Sequence, residues 1–171
     1  MTVPIEGGCR CGQVRYQASV EGLPKVYACH CLDCQTWSGS AFSLQMVLPE
    51  SALTVTGEPA LYERVSDDGE RTSRQRACPV CFTRVYNTNT ARPGLAVLRA
   101  GTLDRSDELQ IVAHIWTKRM LDGIAIPDGV ARWDEGAPQP ICWRLFPDSP
   151  QIRSTVNALI LPLKAKGLRS K

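Results

Sequence analysis

The chain has 171 residues, which suits one domain and at most an appendage, and its 43% apolar and 22% charged composition is that of a globular protein. A net charge of +3 is too small to imply a polyanionic partner, and 6% aromatics is too sparse for a base-stacking platform. Nucleic acid is therefore not an expected partner. Nor is a membrane, because no run approaches the roughly 20 apolar residues that span one.

The first residues, Met1-Thr2-Val3-Pro4-Ile5-Glu6, show neither a basic n-region nor an apolar h-region, so the expected location is cytoplasmic. Short strands are predicted over most of residues 13–116: Val14–Ala18, Phe42–Val47, Leu53–Val55, Leu61–Val65, Thr72–Arg76, Arg84–Tyr86, Leu95–Leu98 and Ile111–Trp116. Their β-branched and aromatic residues, punctuated by Gly, Pro and Asp, favour strand over helix. Asp67-Asp68-Gly69-Glu70 reads as a hairpin turn. One helical turn is expected from Cys34 to Ser38, ended by Gly39. A second helix is expected from Ser149-Pro150 to near Pro162, with Ile152, Val156, Leu159 and Ile160 on one face. Residues 1–136 are thus read as the main domain. Residues 137–171 are read as an extension that opens on a Pro-rich linker and packs on the sheet or on a second copy in a homodimer.

Seven of eight cysteines fall in three tight groups, Cys9-Arg10-Cys11, Cys29-His30-Cys31-Leu32-Asp33-Cys34 and Cys78-Pro79-Val80-Cys81. In a reducing compartment such spacings indicate metal ligands; disulfides between Cys9 and Cys11 or Cys29 and Cys31 would be strained. Two closed four-thiolate zinc sites need eight sulfurs. Seven implies one closed structural zinc at Cys9, Cys11, Cys78 and Cys81, and one open, catalytic zinc at Cys29, Cys31 and Cys34. Three thiolates and Zn²⁺ sum to −1, against −2 for four, which leaves the better Lewis acid. The alternative, in which Cys142 completes the second site, stays open.

These groups sit in an ordered set of motifs that resembles the glutathione-dependent formaldehyde-activating family, whose domain is shared with centromere protein V. The set runs Gly8-Cys9-Arg10-Cys11-Gly12, Cys29-His30-Cys31 with Cys34-Gln35, Gly39-Ser40-Ala41-Phe42 and Cys78-x-x-Cys81. It continues through Ala100-Gly101-Thr102-Leu103-Asp104, His114-Ile115-Trp116-Thr117 and Ile126-Pro127-Asp128-Gly129, and covers roughly residues 5–135. The resemblance implies a mainly β fold, the β-tent: several coiled antiparallel sheets with zinc knuckles and little helix. It also implies two zinc ions per chain, and a carbon–sulfur lyase that interconverts glutathione plus formaldehyde with S-hydroxymethylglutathione. One departure stands out: where the family usually has glycine after the second knuckle, this chain has Phe82.

Around the open site, Gln35, Ser38, Gly39 and Trp116 are candidate substrate contacts. Asp33 is a candidate base, although an acid there also suits a solvated loop. His30, between two ligands, reads as a neighbour of the metal, and His114 as a satisfied, partly buried histidine. Trp37 and Trp116 suit a cleft or a core. Arg10, Arg15 and Arg84 could meet substrate carboxylates, and surface positions are their default. A non-catalytic thiol carrier and a zinc-stabilised interaction module are the competing readings.

Overall fold

The computed structural model describes residues 2–21 and 25–137. In order these form β1 (Thr2–Gly8), β2 (Arg15–Glu21), β3 (Lys25–Cys29), α1 (Leu32–Ser38), β4 (Ser43–Pro49), β5 (Leu53–Thr56) and β6 (Ala60–Val65). There follow β7 (Thr72–Ala77), β8 (Arg84–Asn89), β9 (Leu95–Arg99), β10 (Gln110–Ile115) and β11 (Ala131–Trp133), with short 3-10 turns between some of them. The expected linker beyond residue 137, the helix near 149–162 and Cys142 lie outside the described residues. No helix among those described is long and apolar enough to cross a membrane.

The strands make two sheets. One is three-stranded, β1-β2-β5; the other has eight strands in the order β11-β10-β3-β4-β9-β8-β7-β6. The expected mainly β architecture with little helix is what forms. Most neighbours are antiparallel, but β10 runs parallel to both β3 and β11. That arrangement places the C-terminal ends of β3 and β10 side by side, with Ile115 opposite Cys29.

Alternation decides what each face holds. In β4 and β9, Met46, Leu48, Ala96 and Leu98 point to a core shared with Ile5, Val14, Tyr16 and Ala18 of the small sheet. Val47, Leu95 and Val97 point to the opposite face, where they cluster with Tyr27, Ala113, Cys29 and Cys34. With both faces covered, β9 reads as a nearly unbroken apolar run. The small sheet approaches the loop after β9 closely at Gly7, which bridges to Leu103. A Cβ on Gly7 would lie 2.3 Å from Tyr16 Oη and 2.4 Å from the Thr102 carbonyl, so only glycine fits there.

Turn chemistry follows expectation between β6 and β7, where Gly69 takes φ 74°. The short helix begins earlier than expected, at Leu32 rather than after Cys34. The Cys31 sulfur caps it by accepting from the Cys34 N–H, and Gly39 ends it in the left-handed conformation at φ 60°.

Candidate metal centres

Two β-strand loops build the first centre. Cys9 and Cys11 follow β1, and Cys78 and Cys81 form the turn from β7 to β8; all four sulfurs lie within 4.8 Å of one another. Cys9 and Cys11 sulfurs are 3.5 Å apart, and Cys11 and Cys78 sulfurs 3.7 Å. These are non-bonded separations, far longer than a disulfide, and the seven described cysteines are all free. A zinc ion about 2.3 Å from each ligand would set tetrahedral sulfurs about 3.8 Å apart, so the donor set fits that ion. N–H groups aim at the sulfurs as a thiolate centre needs: Val14 N–H to Cys9 Sγ at 3.2 Å and Val80 N–H to Cys78 Sγ at 3.4 Å. Thr83, through its hydroxyl and its N–H, holds the Cys81 pKa down to about 5.

The turn that delivers Cys81 is strained. Phe82 sits at φ 58°, the region where glycine is at ease, with 79% of its surface exposed. The glycine-less knuckle thus keeps its geometry by accepting a left-handed phenylalanine. Its N–H closes the turn onto the Cys78 carbonyl at 3.0 Å.

The second centre lies where β3 ends and α1 begins. Cys29, Cys31 and Cys34 bring three sulfurs within 4.8 Å of one another. Cys29 and Cys34 are buried and Cys31 half-buried. Gln45 Nε2 donates to Cys34 Sγ at 3.0 Å, and Tyr27 Oη donates to Gln45 Oε1 at 2.7 Å. Hydrogen bonds from Cys29 and Cys34 pull the Cys31 pKa well down, while Cys29, hydrogen-bonded to Cys31 and Cys34, is pushed far up. Three sulfurs this close repel one another once more than one is ionised. A divalent cation is the natural remedy, and the soft thiolate donors suit zinc. No fourth His, Cys, Asp or Glu joins this group among the described residues.

The model of the family described as glutathione-dependent formaldehyde-activating enzyme matches residues 4–119. The chain belongs to this family. A crystal structure of a Rhodobacter sphaeroides protein is similar at 17% identity and a TM-score of 0.46, covering 75% of this chain and 98% of that one. No curated protein matches the chain.

Within this family member the other candidate residues sort by what they touch. Gln35 Nε2 bonds the His30 and Arg119 carbonyls at 2.7 and 2.8 Å, leaving Oε1 as the atom a substrate could meet. Ser38 Oγ returns to the Cys34 carbonyl at 2.7 Å, and Gly39 is the exposed helix cap. Trp116 packs half-buried against the second cluster at φ 60°, with its N–H bonded to the Glu135 carbonyl. His30 is completely buried and turned from the sulfurs onto His114, Nε2 to Nδ1 at 2.9 Å. Burial lowers the pKa of both rings. Asp33 is exposed and ion-paired with Arg64 at 2.6 Å.

Among the arginines, Arg10 is exposed and Arg15 pairs with Asp104 on the surface. Arg84 departs from the default: it is half-buried, with its guanidinium 3.9 Å above the Trp37 ring. Burial and neighbouring Arg99 bring its pKa down to about 9. Arg99 and Gln45 are the residues that sequence reasoning missed. The available signal was phase: Arg99 continues the Leu95 and Val97 face of a strand with no wet side.

Proposed function

We propose that the chain is a zinc-dependent carbon–sulfur lyase acting on glutathione-type hemithioacetals such as S-hydroxymethylglutathione, with Cys29, Cys31 and Cys34 as its catalytic metal ligands. Cys9, Cys11, Cys78 and Cys81 would hold a second, structural zinc. The observation that carries this reading is the unequal sulfur count of the two clusters, four against three, in a chain of this family.

When bound by the three sulfurs, zinc supplies a Lewis acid that keeps a substrate sulfur ionised. Cleavage of R–S–CH2–OH breaks the carbon–sulfur bond, leaves the electron pair on sulfur and releases the hydroxyl proton as the aldehyde C=O forms. The chain's own residues prepare this. β3 and α1 fix the three sulfurs on one short segment, and Gln45 orients Cys34 through its amide N–H. The half-buried Trp116 limits water on one side. Gln35, Ser38 and Gly39 form the polar rim where a peptide-like thiol would lie. Asp33 could act as base only by leaving Arg64, which favours solvent as the proton acceptor.

The test is exchange spectroscopy on formaldehyde, glutathione and their adduct with the zinc-loaded full chain. Acceleration lost in the Cys29/Cys31/Cys34→Ser variant supports the reading. Glutathione binding without acceleration would make the protein a carrier.

A further inference from the structure

The sheet face beneath the three-cysteine cluster carries two positive charges for which the mechanism above has no use. Arg99 is 8% exposed and donates through Nη2 to Asn87 Oδ1 and, at 3.3 Å, to Gln75 Oε1, both uncharged acceptors. Its Nε and Nη1 are buried with no hydrogen-bond partner, as is Nε of Arg84. Neither arginine forms an ion pair with a carboxylate among the described residues. Asp33 lies within electrostatic range of Arg84 but is held by Arg64. Two like charges withdrawn from water without a counter-charge are costly.

Arg99 stands opposite Gln45 across β9 and β4, and Gln45 donates to Cys34 Sγ at 3.0 Å, while Arg84 stacks on Trp37 of α1, the helix that carries Cys34. Besides Asp33 near Arg84 and the Tyr27 phenol near Arg99, the groups in range that a bound metal would ionise are the cysteine sulfurs. Three thiolates with a divalent ion sum to −1, and two guanidinium groups bring the ensemble to +1. An anionic fourth ligand takes it to zero; a neutral one leaves the charge unbalanced.

We propose that Arg84 and Arg99 are positioning residues that make the open coordination position at Cys29, Cys31 and Cys34 select an anionic sulfur ligand over a neutral one. This rests on reading that cluster as an incompletely coordinated metal centre. The arginines act through their field, not by gripping the substrate. The orphaned N–H groups of Arg99 are out of reach of solvent, and one face of the Arg84 guanidinium is taken by Trp37. An incoming thiol gives its proton to solvent and enters as thiolate, the charge that these cations favour.

The test uses the full chain loaded with cobalt(II), titrated with mercaptoethanol, mercaptopropionate and imidazole, and read by sulfur-to-cobalt charge-transfer and ligand-field absorption. Arg99→Met and Arg84→Met should each weaken both thiols on the order of tenfold, one modest Coulomb interaction. Both should leave neutral imidazole within about twofold, and Arg99→Lys should recover most of the loss. Arg84 is only half-buried, so Arg84→Met is the variant expected to keep the fold, checked by circular dichroism, should Arg99→Met lose it. Unchanged thiol affinity in a variant that still binds the second cobalt overturns this inference alone. Loss confined to mercaptopropionate overturns it in favour of a carboxylate contact, and equal loss for imidazole overturns it in favour of structural damage. A chain that takes up no second cobalt overturns both this and the metal-centre reading.

Discussion

Phe82 takes, in the turn that carries Cys78 and Cys81, a left-handed backbone that a residue of its type resists. A left-handed phenylalanine costs about 1–2 kcal/mol, and its ring lies largely in solvent, where it recovers little. Phe82→Gly should therefore raise stability by about 0.5–1 kcal/mol, the gain being reduced by the freer unfolded chain. Urea unfolding with both metal sites loaded measures it; a loss of stability would mean that the ring has a packing role. Tyr16 offers a test at the same scale. Burial pushes its phenol up to about 12, and Thr102 shares its hydroxyl at 3.0 Å. From about pH 10 the unfolded chain gives up a proton that the folded chain keeps, so stability falls as pH rises, by about 1.4 kcal/mol at pH 11. Below about pH 9 the group contributes almost no slope. Tyr16→Phe should flatten this alkaline decline in urea titrations compared at pH 8 and pH 11. An unchanged slope would assign the decline elsewhere.

At the scale of elements, the contact between the small sheet and the loop after β9 depends on the bare backbone of Gly7. A methyl group there meets a carbonyl oxygen that cannot swing away. Gly7→Ala should cost more than about 2 kcal/mol, as overpacking does, and should loosen the neighbouring Cys9 and Cys11 so that the first ion exchanges faster. Isotopic zinc exchange followed beside urea unfolding checks both; an unperturbed variant would show that the sheets can separate freely. The strands with one wet face, or with β-branched runs between turn residues, were legible from the sequence, from β2 through β10. β3 was not, because Val26-Tyr27-Ala28-Cys29 runs straight into a metal motif that draws the eye. β1 opens on a Thr2-Val3-Pro4 stretch without clean alternation, and β11 has three residues. The parallel pairing of β10 with β3 depends on a connection that runs through α1 and β4 to β9, which local pattern does not encode. The cysteine groups were legible because close spacing is itself the chemistry. Arg99 was not, and Arg84, named as a candidate contact, was given a surface position by default, since a lone arginine declares nothing until the strands on either side cover it.

For the whole molecule, the proposed function divides the work: the four-sulfur cluster holds the fold and the three-sulfur cluster holds the substrate. The first ties the N-terminal strand to a turn almost seventy residues away, about 67 positions from Cys11 to Cys78, the kind of long closure that stabilises most. The second sits on one segment and closes little. Cys78→Ser should therefore lower the melting temperature far more than Cys31→Ser, each losing one zinc, as calorimetry with metal analysis would record. Equal effects would contradict the division. Unequal sulfur donation itself is read by zinc X-ray absorption on the loaded full chain, with and without glutathione. The expected result is two ions sharing seven protein sulfurs and one lighter donor, that donor being replaced by an eighth sulfur when the thiol is added. Eight sulfurs before any thiol is present, or a single ion per chain, would contradict it.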